Sequence, residues 1–238
     1  MAQIGVFQNS VVRGDRQGKF AVELRHVRKS YGPEGEKEVY SDLNFQLLHG
    51  TFVAAVGPIG SGKTTLLNMF AGLERPTSGA ILVNGEEITR LGGDALAGFR
   101  ARTIGLVPQV QTLIPELTVR ENVELPLLFA KVDHDDRQRK VDYVLEKVGI
   151  RGEAKRTVST LSVGEKQMVS FARGMVNDPP ILLLDEPTEA LDPLMAEVIL
   201  GLLRGDNLTL GRTIFVTTHD KRVTELARKT LRVKKRIP

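Results

Sequence analysis

Hydrophobic residues in this chain fall into short unbroken runs and into helical stripes, and the two kinds alternate. Thr51-Phe-Val-Ala-Ala-Val56 is apolar and partly β-branched, the pattern of a parallel strand covered on both faces. Lys63 to Gly72 follows with Leu66, Leu67 and Phe70 at helical spacing and a glycine near its end, which predicts a helix. Gly79-Ala-Ile-Leu-Val-Asn-Gly85 alternates and finishes in Asn-Gly, predicting a strand and a hairpin turn. Ile104-Gly-Leu-Val-Pro108 reads as a further core strand. From Thr118 the spacing turns helical, over Val119 to Ala130, Asp135 to Val148 and Val163 to Asn177, with Pro115 and Pro126 as punctuation. Pro180-Ile-Leu-Leu-Leu-Asp185-Glu186 is then a second buried strand that ends in two acids. An α/β fold around a parallel sheet accounts for this order.

Composition narrows the setting. A chain of 238 residues can bury a full core and lies between one and two ordinary domains. It has no cysteine, so disulfides, thiolate metal sites and cysteine nucleophiles are excluded. Residues 1–19 are polar, lack the apolar segment of a secretory signal, and are expected to form a flexible arm. No stretch approaches the roughly 18 apolar residues of a membrane span, so the chain is expected to be soluble by itself. The net charge is +4, with basic clusters at Arg25, Arg28 and Lys29 and from Arg228 to Arg236. Without interleaved aromatic residues to stack on bases, these read as a strand edge and a solvated tail, and no nucleic acid partner is expected.

The chemistry concentrates where the first strand meets its helix. Gly57-Pro58-Ile59-Gly60-Ser61-Gly62-Lys63-Thr64 fits G-x-x-x-x-G-K-[ST], in which backbone N–H groups converge on phosphate oxygens without a Cβ in the way. The motif calls for a nucleoside triphosphate with Mg²⁺: Lys63 reaches the β/γ-phosphates and the Thr64 hydroxyl coordinates the metal. The second apolar strand would deliver Asp185 to the same sheet edge as a metal carboxylate, and Glu186 as the group that orients and deprotonates the attacking water. Thr64 and Asp185 are 121 positions apart, too many for one β-α-β step of about 30 residues, so something substantial is inserted.

Leu161-Ser162-Val163-Gly164-Glu165 stands at the start of the fourth predicted helix. Ser162 with Glu165 three residues on is a capping box, and the same geometry makes an anion site. From about Phe20 onward the chain resembles the nucleotide-binding subunits of ATP-binding cassette (ABC) transporters. Residues 161–165 are similar to the family's Leu-Ser-Gly-Gly-Gln signature, and Ile181 to Glu186 to its second nucleotide motif. Gln109 looks like the Q-loop glutamine, Tyr31 like the adenine-stacking aromatic, Ala190-Leu191-Asp192 like the D-loop and His219 like the switch histidine. Taken alone, His219, Gln109 and Tyr31 read as a strand-end histidine, a loop amide and a packed ring; their order around the phosphate loop is what changes that reading.

The resemblance implies a P-loop NTPase (RecA-like) core with an antiparallel β subdomain and a helical subdomain over about 110–177, in one ATPase domain spanning 20–238. It implies ATP and Mg²⁺ as ligands. Thr65, Ser162, Gly164 and Asp192 join residues 57–64 and Tyr31 in binding ATP; Thr64, Gln109 and Asp185 serve the metal; Glu186, His219 and Gln109 are catalytic. It further implies a homodimer in which each ATP lies between one copy's phosphate loop and the other's signature, and a separate integral membrane permease, placing the chain on the cytoplasmic face of the inner membrane. Residues 111–127 resemble the lipoprotein-releasing and macrolide-export branch, and Gln109 through Leu128 is the expected docking surface. Polar amino-acid importers and a soluble ABC ATPase without transport are the alternatives. Two features depart from the family pattern: Val163 and Glu165 replace a glycine and the glutamine of the signature, with altered turnover expected from Val163. Glu189 stands where small or amide residues are commoner, and the sequence offers no reason for it.

Overall fold

The computed structural model describes residues 20–32 and 35–234, so the arm expected over 1–19 and the basic residues 235–236 lie outside the described residues. An antiparallel sheet comes first. Strands β1 (Phe20–Tyr31) and β2 (Lys37–Leu48) pair with β4 (Ser78–Val83) and the short β5 (Glu86–Glu87) in the order β2-β1-β4-β5. Asn84 and Gly85, both at positive φ, make the hairpin turn that the Asn-Gly pair predicts. The second sheet is parallel, in the order β6 (Ile104–Val107), β7 (Ile181–Asp185), β8 (Thr213–Thr217), β3 (Phe52–Val56), β9 (Lys229–Arg232). Its three central strands β3, β7 and β8 are buried along almost their whole length, which is why they read as continuous apolar runs.

Helix α1 (Lys63–Phe70) leaves the end of β3 and packs between the two sheets. Phe70 stacks on Phe45 of β2 with ring centroids 5.5 Å apart and meets Phe215 of β8 edge-on at 5.0 Å. These contacts fix the helix that follows the phosphate loop against both sheets. Helix α2 (Gly93–Thr103) leads into β6. Three helices then fill the interval before β7: α3 (Val119–Phe129), α4 (His134–Val148) and α5 (Val163–Met175). They share a core of Val123, Leu127, Val141, Leu145, Val169 and Ala172. Pro126 lies inside α3 and does not end it. Helices α6 (Pro193–Leu210) and α7 (Lys221–Leu226) complete the chain order.

Candidate functional site

Asp185 at the end of β7 and Ala55 near the end of β3 are both in register with Thr217 of β8. Residues 57–64, 185–186 and 217–219 therefore leave the sheet side by side, at the carboxyl edge where α/β folds bind ligands.

The phosphate loop is built by close approach. A Cβ on Gly57 would lie 2.1 Å from the carbonyl oxygen of Val233, just past β9, and one on Gly62 would lie 2.8 Å from Val39 Cγ1 and 2.9 Å from the Tyr40 hydroxyl. Gly62, at φ 98°, is also the N-cap of α1 and supplies no side-chain cap, so the first N–H groups of that helix are left for a ligand. Tyr40 braces the turn by donating its hydroxyl to the Gly62 carbonyl at 3.0 Å, and burial pushes its phenol well above the usual range. At the tip, Ile59 is exposed and Gly60 takes φ 75° with nothing near a Cβ. Ser61 is buried and its hydroxyl has no hydrogen-bond partner.

Lys63 Nζ donates to the carbonyls of Gly57 at 2.7 Å and Pro58 at 3.3 Å, and lies 3.4 Å from His219 Nε2. Beside it, the Thr64 hydroxyl donates to Asp185 Oδ2 at 2.9 Å, while Thr217 donates to Asp185 Oδ1. Among the described residues, no three His, Cys, Asp or Glu side chains group to hold a metal ion by themselves. The oxygens of Thr64 and Asp185 instead suit Mg²⁺, which takes few protein ligands and completes its shell with water and substrate phosphates.

Glu186 sits at φ 47°, in the left-handed region unusual for a side chain of its size. Its N–H donates to the Thr217 carbonyl at 3.0 Å, and its carboxylate accepts the His219 backbone N–H at 3.0 Å. Burial raises its pKa above the ordinary carboxylate range, opposed by the His219 N–H. Gln109, just past β6, donates its amide to Glu189 Oε2 at 2.9 Å. Tyr31, on the exposed end of β1, shares a 3.0 Å hydrogen bond with the Thr65 hydroxyl and has Lys29 Nζ 4.6 Å from its ring centroid.

Three expected nucleotide-binding residues do not join this cluster within one chain. Ser162 accepts from the Glu165 N–H and Glu165 accepts from the Ser162 N–H, the capping box its spacing predicts. Asp192 caps α6 by accepting the Met195 N–H, and Gly164 lies where a Cβ would be 3.4 Å from the Ala190 carbonyl oxygen. Val163 is exposed beside them.

The profile of the ABC transporter family matches residues 40–189. The chain belongs to this family. It is an ABC-type ATP hydrolase and binds adenine nucleotide. The chain is similar to an uncharacterized ABC transporter ATP-binding protein of Thermotoga maritima, 41% identical over 85% of this chain and 86% of that protein. It is 38% identical to a macrolide export ATP-binding/permease protein MacB of Paracoccus denitrificans, over 89% of this chain but 32% of that longer protein. Against the methionine import ATP-binding protein MetN 2 of Burkholderia mallei the figures are 41%, 85% and 51%. Among solved structures, the dimeric ATP-binding cassette MJ0796, in a post-hydrolysis state bound to ADP and Pi, matches with TM-score 0.85 and 35% identity over 91% of this chain and 97% of that one. ABC cassettes of this kind form dimers.

Some of the site escapes sequence reasoning. Thr217 and Tyr40 hold Asp185 and Gly62, yet neither belongs to a motif that marks its hydroxyl out. The run Thr217-Thr-His219 is the one signal for the former, since a hydroxyl at a strand end beside a metal carboxylate has an acceptor ready. Glu189, without explanation in the sequence, acquires one as the partner of Gln109.

Proposed function

We propose that residues 20–238 form one ATPase domain, with a helical insert over about 110–177, that closes as a head-to-tail homodimer around two Mg-ATP and so moves a separate membrane subunit. The observation that carries this reading is the convergence of Lys63, the Thr64–Asp185 pair and the Glu186–His219 pair on one sheet edge. Lys63 exchanges its carbonyl partners for phosphate oxygens, and residues 57–62, with Thr65, offer N–H and hydroxyl donors to the same anion. Tyr31 stacks on adenine. Thr64, Asp185 and Gln109 hold Mg²⁺, which when bound neutralises charge on the phosphate oxygens. Glu186 takes the proton of the attacking water, its raised pKa bringing it nearer to working pH, and His219 holds the γ-phosphate in place. Ser162 and Gly164 complete the partner copy's site from the N-terminus of α5, with Asp192 close to them across the dimer. Ser162 uses its oxygen to accept within the cap, which leaves its O–H proton free to donate outward. Cleavage of the bridging triphosphate removes the link between the copies, and the dimer opens.

The membrane partner docks on the surface from Gln109 to Leu128. An open groove of about 860 Å³ adjoins it, lined by Leu73, Leu106, Leu125, Pro126 and Phe129. Phe129 is 74% exposed there, more than a side chain of its size warrants without a partner. No helix among the described residues is long and apolar enough to cross a membrane. The similarity to MacB, together with residues 111–127, favours export or lipoprotein extraction from the cytoplasmic face of the inner membrane. The similarity to MetN 2 supports the second reading, import. Affinity purification from detergent-extracted membranes, followed by mass spectrometry, tests both. A multi-span subunit with a large extracytoplasmic domain supports the first reading and a compact importer permease the second. Recovery of no membrane protein would point to an ABC ATPase without transport.

A further inference from the structure

The bond between Gln109 and Glu189 joins two strand exits. Gln109 follows β6 and Glu189 follows β7, the parallel neighbour in which Val107 faces Leu184. The two loops are tied a second time through α5: Gln111 donates to Gln167 Oε1 at 2.6 Å, and Gln167 Nε2 donates to the Pro187 carbonyl at 3.3 Å. Gln109 is thus held beside the loop that carries Glu189, and the chemistry of residue 189 decides what its amide can do.

An ionised carboxylate accepts hydrogen bonds and cannot donate one. Against Glu189 only the NH₂ end of the Gln109 amide is favourable, because the reverse orientation would set a carbonyl oxygen against a carboxylate oxygen with no proton between them. An amide or hydroxyl at 189 could both donate and accept, and would permit either orientation. We infer that Glu189 is a positioning residue that fixes the orientation of the Gln109 amide, keeping Nε2 for itself and leaving Oε1 as the atom available to a hard cation. This rests on the proposed assignment of Gln109 to Mg²⁺, and it gives a purpose to a residue that departs from the family pattern.

The test is equilibrium binding of a fluorescent, non-hydrolysable ATP analogue to the full chain, titrated with Mg²⁺ and repeated in EDTA. Glu189→Gln should raise the Mg²⁺ concentration for half-maximal binding by roughly three-fold, the scale of one exposed charge-assisted hydrogen bond. It should leave affinity in EDTA within two-fold, as roughly expected for a contact that acts only on the metal. Both residues are exposed, so the variants fold. Orientation is separated from a simple charge effect in the Gln109→Ala background, where Glu189→Gln should change nothing further. An unchanged Mg²⁺ midpoint in Glu189→Gln, with a shifted one in Gln109→Ala, overturns the inference and spares the metal assignment. An unchanged midpoint in Gln109→Ala overturns both. An effect of Glu189→Gln that persists without Gln109 reduces Glu189 to a surface charge and also overturns it.

Discussion

The Thr64 hydroxyl donates to Asp185 Oδ2 at 2.9 Å, joining the first turn of α1 to the end of β7. Asp185 is 4% exposed, so its oxygens depend on Thr64 and Thr217 for their partners. Thr64→Val keeps the shape and removes the hydroxyl, at a stability cost of about 1–2 kcal/mol. Nucleotide titration should find that Mg²⁺ no longer tightens binding in this variant while metal-free affinity persists. Preserved Mg²⁺ dependence would remove Thr64 from the metal set.

Glu186→Gln retains the shape of the side chain and cannot accept a proton from water. Turnover should fall by about 10²- to 10⁴-fold, the usual contribution of a general base. The variant should elute as a nucleotide-bound dimer on size exclusion. Unchanged steady-state hydrolysis would contradict the assignment.

The three glycines of the phosphate loop should separate by mechanism. Gly60→Ala meets no neighbour and costs only its left-handed φ, about 1–2 kcal/mol. Gly62→Ala adds contacts with Val39 and Tyr40, and Gly57→Ala drives a Cβ into the backbone at Val233. Thermal unfolding should rank them Gly60, Gly62, Gly57 in increasing damage, with nucleotide binding lost last in the first. Equal damage at all three would refute close packing as the reason for glycine.

Arg212 is 5% exposed and pairs with Asp206 at 2.6 Å and with Asp178, while Lys147 reaches Asp206 from α4 at 2.6 Å. Arg212→Met strands a buried carboxylate with one cation instead of two. A loss of about 3–5 kcal/mol in urea unfolding is expected. A loss below 1 kcal/mol would mean that Lys147 alone suffices.

His49 carries a buried Nε2 without a hydrogen-bond partner, and burial lowers its pKa below the ordinary 6.5. On acidification the unfolded chain takes up the proton first. The stability due to neutral His49 is therefore whole above pH 6.5 and declines as the pH falls toward the folded-state pKa. His49→Gln should flatten the dependence of the urea midpoint on pH across this window. A profile that stays as steep would assign it to other groups.

The legible part of the sequence was the part in which local pattern and tertiary burial agree. Strands β3, β6 and β7 are buried along almost their whole length, and α5 is capped by Ser162 as the Ser162–Glu165 spacing requires. Strand β1 was harder to read because His26, at φ 50°, shifts its register, so the apolar positions do not alternate along its full length. Helix α2 starts on glycine with no side-chain cap and offers only a weak stripe. Pro126 looks like a boundary, yet α3 continues through it because Val123 and Leu127 on either side are fully buried in the helical core. In the site, motif residues were legible because backbone chemistry demands them. The Asp185–Thr217 and Gln109–Glu189 pairs were not, because each joins different strands and no periodicity records which strands become neighbours.

Strand β3 is flanked by β8 and β9, and the carbonyl of Val233 presses on Gly57 from below. The floor of the triphosphate cradle thus comes from a segment translated long after its rim. A nascent chain on the ribosome cannot finish that cradle until Val233 has left the exit tunnel, so nucleotide capture waits for the segment that follows β9. Proteolytic trimming on the carboxyl side of α7 would disarm the enzyme without touching a single catalytic side chain.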